Sequence, residues 1–159
     1  MATRFRGIRR SPSGNKKVRN ATSRVYDNIK FRSRLEVEIY KALAAKHLHF
    51  TYEQFRAKIW DAKHFTVPYF NKVGKKPFGQ ITTKPICVHY TPDFLVKYKK
   101  WWIFLEVKGR PNDVFPYKVK LFREWLENAQ QQNPDVKYCY AVIYSKEDLE
   151  TLLKLLDNG

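Results

Sequence analysis

The feature that most constrains this chain is a pair of strand-like segments near its middle, each carrying an acid in an otherwise apolar setting. Residues 88–96 and 101–107 are rich in β-branched and aromatic side chains, which favour strands. Only a short polar break separates them, so we expect a β-hairpin. Pro92 cannot donate a hydrogen bond to a sheet, and we expect an irregularity there that redirects the next side chain, Asp93.

The second strand carries an acid and a base on the same face. Alternation along a strand places Glu106 and Lys108 together, opposite Val107. Burying a carboxylate is costly unless it is paired or bound to a metal. A hard divalent cation such as Mg²⁺ would remove the repulsion between two carboxylates, so Asp93 and Glu106 are candidate metal ligands. Lys108 could then hold an attacking water or stabilise charge on a phosphate. The alternative is a surface hairpin with a Glu–Lys pair on its solvent face.

The composition indicates one folded domain with an anionic partner. The chain has 159 residues, 43% of them hydrophobic, and a net charge of +16, which suits a single core and a nucleic-acid partner. No apolar run is long enough to span a membrane, and no apolar stretch follows the basic N-terminus. Cys87 and Cys139 belong to no ligand cluster, so we expect free thiols in a reducing compartment. The four histidines are scattered, which argues against a zinc site.

The positive charge is concentrated at the start of the chain. We expect residues 1–28 to form a basic arm that is disordered when free and binds phosphates, followed by one folded domain over residues 29–159. The alternative is a solvated tail without a binding role. The cations that precede the first acid, Asp27, are Arg4, Arg6, Arg9, Arg10, Lys16, Lys17, Arg19 and Arg24.

A helix is predicted over residues 33–46. Ser33 and Glu36 have the spacing of a capping box, so one interpretation is that Glu36 only caps this helix. Glu36 also lies on the face of Ile39 and Leu43, toward the core, which favours a functional role.

The rest of the chain is predicted to continue with strands and helices. Residues 61–87 contain prolines, glycines and lysines, which indicates a loop or an extra hairpin that could contact DNA. With the central hairpin, the predicted order is helix, three strands, helix, strand and helix. The remaining elements are a strand over 49–60, a helix from 113 or 115 to 131, a strand over 136–143 and a last helix capped by Ser145.

Four short motifs follow one another between residues 31 and 110. They are Phe31-Arg32-Ser33-x-Leu35-Glu36, Phe50-x-Tyr52-Glu53, Tyr90-Thr91-Pro92-Asp93-Phe94-Leu95 and Glu106-x-Lys108-Gly109. This ordered set resembles the phage endonuclease I family of Holliday-junction resolvases, in the PD-(D/E)xK nuclease superfamily. The segments between Tyr52 and Tyr90 and between Asp93 and Glu106 are longer than the family pattern, which indicates loop or hairpin extensions.

The resemblance implies an α/β fold with a PD-(D/E)xK (restriction-endonuclease-like) core, a mixed sheet flanked by helices. It implies a Mg²⁺-dependent endonuclease, with Mn²⁺ as a substitute, that resolves branched DNA by hydrolysing phosphodiester bonds. Asp93 and Glu106 would bind the metal. Glu36 would complete the acidic cluster directly or through water, and Lys108 would orient the attacking water. Besides the cations of the arm, the residues expected to bind DNA are Arg32, Lys75 and Lys76.

The same resemblance implies a homodimer, in which the first helix and strand are exchanged between subunits. A phage protein of this kind would act in the cytoplasm of a bacterial host. Two other functions stay open from the residues. Another nuclease of the superfamily, of the restriction or transposon-end type, should cut linear duplex. A non-catalytic basic DNA-binding protein should cut nothing.

Overall fold

The fold is a mixed α/β arrangement, described here from a computed structural model over residues 23–82, 85–109 and 114–158. Its elements in chain order are β1 (Arg24–Tyr26), β2 (Ile29–Phe31), α1 (Arg34–Ala45), β3 (His49–Tyr52), β4 (Ala57–Trp60), β5 (Phe70–Asn71), β6 (Gly79–Gln80), β7 (Val88–Tyr90), β8 (Phe94–Tyr98), β9 (Trp101–Val107), α2 (Phe115–Gln132), β10 (Lys137–Ile143) and α3 (Lys146–Asp157).

A four-stranded mixed sheet in the order β10-β9-β8-β3 forms the centre of the molecule. β10 runs parallel to β9, while β8 is antiparallel to both β9 and β3. One hydrophobic cluster packs α1 and α3 against one face of the sheet, and a second cluster packs α2 against the other. The expected mixed sheet flanked by helices is therefore confirmed.

Strand β9 shows the predicted alternation. Ile103 and Leu105 belong to the cluster under α1 and α3, whereas Phe104 belongs to the cluster under α2. Every side chain from Ile103 to Val107 is buried, because helices cover both faces of this central strand. The predicted hairpin is formed by β8 and β9. The alternative of a solvent-exposed hairpin is wrong, since Glu106 is only 5% exposed.

The helix ends follow the predicted capping signals. The Ser33 hydroxyl accepts a hydrogen bond from the Glu36 amide at 3.2 Å, so α1 begins where the sequence indicates. Ser145 and Asp148 form a reciprocal capping box at the start of α3. Pro116 lies in the first turn of α2, where its missing N–H has no intrahelical partner to lose.

One prediction about strands needs correction. The single strand expected over residues 49–60 is two strands, because Glu53 adopts a left-handed φ of 49° and turns the chain out of the central sheet. β4 then pairs with β7 instead. The expected irregularity at Pro92 is confirmed, since β7 ends at Tyr90 and β8 begins at Phe94. The chain thus leaves the central sheet after β3 and re-enters it at β8. The segments between these two strands that pair with each other, β4 and β7, form a separate two-stranded ribbon.

The hairpin β1–β2 was not predicted, and it contains the expected arm boundary at residue 28. Its turn residues Asp27 and Asn28 have φ of 52° and 58°, as tight two-residue hairpin turns require. Arg24 therefore belongs to the folded part of the chain. The rest of the predicted arm lies outside the described residues. Among the residues described, no helix is both long and apolar enough to cross a membrane.

Candidate active site

Asp93 is fixed at the point where the chain re-enters the central sheet. Its side chain is 7% exposed, and its Oδ2 accepts a hydrogen bond of 2.7 Å from the Val107 amide at the end of β9. The Asp93 carbonyl accepts a second bond, of 2.9 Å, from the Glu53 amide. The Pro92 irregularity thus brings Asp93 against β9 at the position of Glu106, as the sequence predicted.

Glu106 is held on both of its oxygens. Its Oε2 accepts a hydrogen bond of 2.6 Å from the Tyr90 hydroxyl, which also lies 2.8 Å from the Tyr140 hydroxyl. Its Oε1 forms an ion pair of 2.5 Å with Lys108 Nζ. The Lys108 ammonium also lies 4.8 Å from the centroid of the Phe115 ring. These contacts leave Glu106 and Lys108 little rotational freedom, which is a condition for precise positioning of a reactant.

Glu36 both stabilises the start of its helix and is buried against the sheet. It accepts hydrogen bonds from the Arg32 amide at 3.0 Å and from the Ser33 hydroxyl at 2.8 Å, so it does stabilise the start of α1. It also accepts a bond of 2.6 Å from the Tyr52 hydroxyl on β3 and is only 5% exposed. Capping therefore orients this carboxylate toward the sheet and does not compete with a role in a site.

One open cavity of about 380 Å³ brings all four predicted catalytic residues together. Its acidic lining consists of Glu36, Asp93 and Glu106, at the ends of three different elements. Its basic and polar lining comprises Arg32, His89, Lys108 and Lys118. Three acids and three cations beside one solvent-accessible cavity can bind a phosphate and a metal ion together.

The main electrostatic effect in the cavity is the influence of Glu106 and of burial on Asp93. Burial, and then the charge of Glu106, raise the pKa of Asp93 from 3.8 to about 7, against the opposing effect of the Val107 amide. Burial and the neighbouring carboxylates also raise the pKa of Tyr52 and Tyr90. Both hydroxyls therefore stay protonated and donate to Glu36 and Glu106. A perturbed carboxyl in a cavity is typical of functional sites.

This shift predicts how the stability of the metal-free protein changes with pH. The raised pKa means that folded Asp93 binds more protons than unfolded Asp93 between about pH 4 and 7. Its contribution to stability is therefore complete at low pH and is lost as the pH rises through about 7. Between pH 5 and pH 8 this loss should be on the order of 3 kcal/mol. Urea unfolding at pH 5 and pH 8 should show a larger fall for the wild type than for Asp93→Asn. An equal fall in the stability of both proteins would contradict the raised pKa of Asp93.

The three acids that line the cavity are not grouped as one set of metal ligands. Among the described residues, no three His, Cys, Asp or Glu side chains are grouped so that they could hold a metal ion together. The charge of Glu106 raises the pKa of Asp93, whereas Glu36 is occupied by its own hydrogen-bond donors. A role for Glu36 through water remains a prediction.

Comparison with known proteins places the chain in a family without assigning an activity. Residues 16–143 match a family model described as "Protein of unknown function (DUF1064)". The chain belongs to the DUF1064 family. No curated protein and no solved structure matches this chain. All four predicted catalytic residues lie within the matched region. The resemblance to the endonuclease I family therefore stays a prediction for this DUF1064 protein.

The residues predicted to bind DNA are distributed over several parts of the DUF1064 chain. Arg32 lies at the cavity and forms an ion pair of 2.8 Å with Glu53. Arg24 lies on β1, and Lys75 and Lys76 lie in the connection between β5 and β6. The remaining predicted contacts lie outside the described residues and are Arg4, Arg6, Arg9, Arg10, Lys16, Lys17 and Arg19.

Sequence reasoning missed the tyrosines that hold the acids. Tyr52 and Tyr90 each donate to a glutamate 16 residues away in the chain. Their positions inside two of the four motifs were the available signal. Their partners depend on which strand ends meet, and local patterns do not give this. Lys118 on α2 was also missed, because a lysine on a helix most often faces solvent.

Proposed function

We propose that this protein is a Mg²⁺-dependent DNA endonuclease of the PD-(D/E)xK type that hydrolyses phosphodiester bonds in branched DNA. The observation that carries the proposal is the cavity that buried Asp93 and Glu106 line together beside Lys108. A buried pair of like charges is unfavourable in the free protein, so its retention argues for a bound cation. The net charge of +16 supports a polyanionic substrate.

The donor set suits Mg²⁺ better than a structural metal. Mg²⁺ is usually bound by one or two carboxylates together with waters and substrate phosphates, and Asp93 and Glu106 supply two carboxylates beside an open cavity. When bound, the ion would neutralise charge on the phosphate and lower the pKa of a water. Glu36 is a candidate for a contact through water, because it lines the same cavity.

The protein's own side chains account for the remaining requirements of hydrolysis. Lys108 is aimed by its ion pair with Glu106 and its contact with the Phe115 ring, so its ammonium can orient the attacking water or stabilise charge on the phosphate. Tyr90 fixes the second oxygen of Glu106. Arg32 and Lys118 line the cavity and can bind the phosphates that flank the scissile bond.

Branch selectivity and dimerisation are the parts of the proposal that depend on the resemblance. Resolving a junction requires two cuts, and a symmetric homodimer would supply two sites in a fixed relation. In this structure β3 pairs with β8 of its own chain, so one chain completes the cavity. Exchange of α1 and β3 would rebuild the same contacts between two chains. The proposal requires the dimer but not the exchange.

The decisive experiment compares a four-way junction with a linear duplex of matched sequence, in Mg²⁺ and in EDTA. We expect cutting of the junction alone, and only with Mg²⁺. Specific cutting of the linear duplex would favour the restriction or transposon-end type. Binding without cutting in Mg²⁺ or Mn²⁺ would favour a non-catalytic DNA-binding protein.

Thermal unfolding gives an independent test of the metal site. At pH 8, Mg²⁺ at 100 times its dissociation constant should stabilise the wild type by about 2.7 kcal/mol. Asp93→Asn should lose most of this gain, because one of the two ligands is gone. Asp61→Asn, which changes an exposed carboxylate paired with Lys58, is the matched control and should keep the gain. An equal gain in all three proteins would place the metal elsewhere.

A further inference from the structure

The insertion hairpin, which we define as residues 61–82, projects from the ribbon β4–β7 and is built differently from the rest of the fold. β5 and β6 pair with each other, and the Ile81 amide donates a hydrogen bond of 2.8 Å to the Tyr69 carbonyl. Gly74, with φ of +60°, lies in the connection between the two strands. No residue of this hairpin belongs to either hydrophobic cluster of the described chain. The core therefore does not explain its apolar side chains.

The insertion hairpin exposes an unusual set of large apolar side chains. Phe65 and Phe78 are 76% and 71% exposed. The rings of Phe70 and Phe78 lie nearly parallel, at 21° with their centroids 6.4 Å apart, and both residues are more than half exposed. Exposed apolar residues that occur together in this way mark an interaction surface. The full set is Phe65, Val67, Tyr69, Phe70, Val73 and Phe78.

The charge of the insertion hairpin selects the partner. Its one acid, Asp61, lies at the start and is paired with Lys58 at 2.6 Å. All its other charged side chains are lysines, so a second copy of this surface would be repelled. A partner with negative charge beside flat apolar faces fits both properties, and unpaired nucleotides have this chemistry. The lysines are Lys63, Lys72, Lys75 and Lys76.

The ribbon connects this surface directly to the candidate active site. In the register of β4 with β7, Ala57 pairs with Tyr90 and Trp60 pairs with Val88. Tyr90 donates to Glu106, so the inner end of the ribbon is part of the cavity. With a rise of about 3.3 Å per residue, the four residues from Ala57 to Asp61 place the start of the insertion hairpin roughly 13 Å beyond the Ala57–Tyr90 pair. A DNA strand bound in the cavity could extend to the insertion hairpin.

We propose that the insertion hairpin stacks unpaired bases of branched DNA next to the cleavage site, with its lysines on the adjacent phosphates. This binding mode rests on the proposed DNA substrate and adds a preference for branches that carry unpaired nucleotides, such as flaps. Aromatic side chains bind any base through its ring face, so the selection is for single-strandedness and not for sequence. A fully paired linear duplex offers no open base to the rings.

The test measures binding in EDTA to a flapped duplex, with 2-aminopurine in the flap at the branch, and to a linear duplex of matched length. The double variant F70A/F78A should bind the flap about tenfold or more weakly and lose the quenching of 2-aminopurine, while linear duplex binding stays within about twofold. F70L/F78L should behave like the alanine variant, because leucine keeps apolar area but has no ring face. Leu155→Ala on α3, an equally exposed apolar position at 65%, is the matched control and should change nothing.

Substituting the lysines should affect DNA binding differently from substituting the aromatic rings. K75A/K76A should weaken binding of both DNAs and reduce the salt slope by about 0.9 for each phosphate contact on duplex. Equal losses on flap and duplex for F70A/F78A, or full rescue by leucine, would overturn base stacking. A fall in sedimented mass from dimer to monomer in F70A/F78A would overturn it in favour of a second copy of the chain.

The outcome is separable from that of the nuclease proposal. Preference for the flap that depends on the rings, without any cutting in Mg²⁺, would keep the stacking site and reject the nuclease. Mg²⁺-dependent cutting with an unchanged flap preference in F70A/F78A would keep the nuclease and reject the stacking site.

Discussion

Asp93→Asn, Glu106→Gln and Lys108→Ala should each reduce cleavage of branched DNA by at least about 10²–10³-fold while leaving DNA binding in EDTA nearly unchanged. Each change removes a group that lines the cavity and that the proposed function assigns to the metal or to the attacking water, and not to binding of the DNA backbone. Single-turnover cleavage and a separate binding titration measure the two effects. Near-normal cleavage by Glu106→Gln would overturn the site assignment.

Stability measurements keep loss of folding from imitating loss of catalysis. Asp93→Asn removes one of two repelling buried carboxylates and keeps the shape of the side chain, so at pH 8 the variant should be at least as stable as the wild type. If the Asp93→Asn protein is inactive but as stable as the wild type, its loss of cleavage does not come from unfolding. The wild type would then keep two repelling carboxylates in the cavity for function, at a cost in stability. Lys108→Ala should be less stable, because Glu106 then loses its cationic partner. The exposed substitution Lys154→Ala serves as a control for charge and should keep activity.

The parts of the site that the sequence predicted are those fixed by local chemistry. A carboxylate in a continuous apolar strand needs a physical reason wherever the strand lies, so Glu106 could be selected without knowing its neighbours. Pro92 forces an irregularity by its own covalent structure, and Asp93 follows from it. Ser33 predicts both the start of α1 and the direction of Glu36, because a helix fixes the residues of its first turn. These inferences needed no long-range information.

The features of the fold and site that were not predicted from the sequence depend mostly on contacts between distant segments. The bonds of Tyr90 to Glu106 and to Tyr140 require β4–β7, β9 and β10 to meet in one register, and alternation along each strand does not determine that register. The left-handed conformation of Glu53 has no strong signal in a non-glycine residue, so the strand over 49–60 was not divided. Asp27-Asn28 between β-branched and aromatic residues was a usable turn signal for β1–β2. The strong basic character of the surrounding segment masked it.

The ordered hairpin also sharpens the test of the basic arm. Arg24 lies on β1 and pairs across the hairpin with Phe31, so a deletion through residue 24 would damage the fold as well as remove charge. Deletion of residues 1–22 avoids this. It removes seven of the 31 lysines and arginines and none of the 15 acids. The hairpin, α1 and the whole cavity are retained, so the change in DNA binding can be assigned to the arm itself.

Deleting residues 1–22 should weaken DNA binding by orders of magnitude at low salt and flatten its salt dependence. Each arm cation that contacts a phosphate contributes about 0.9 to the slope of log K against log salt, so full engagement would lower the slope by up to about 6. The loss should be similar for branched and linear DNA, because phosphate contacts carry no sequence or branch information. A full-length variant with the same seven cations changed to glutamine should reproduce the deletion, while an arm of shuffled sequence should bind like the wild type. Titrations from low to physiological salt measure the slope, and an unchanged slope after deletion would mean that the arm does not contact DNA.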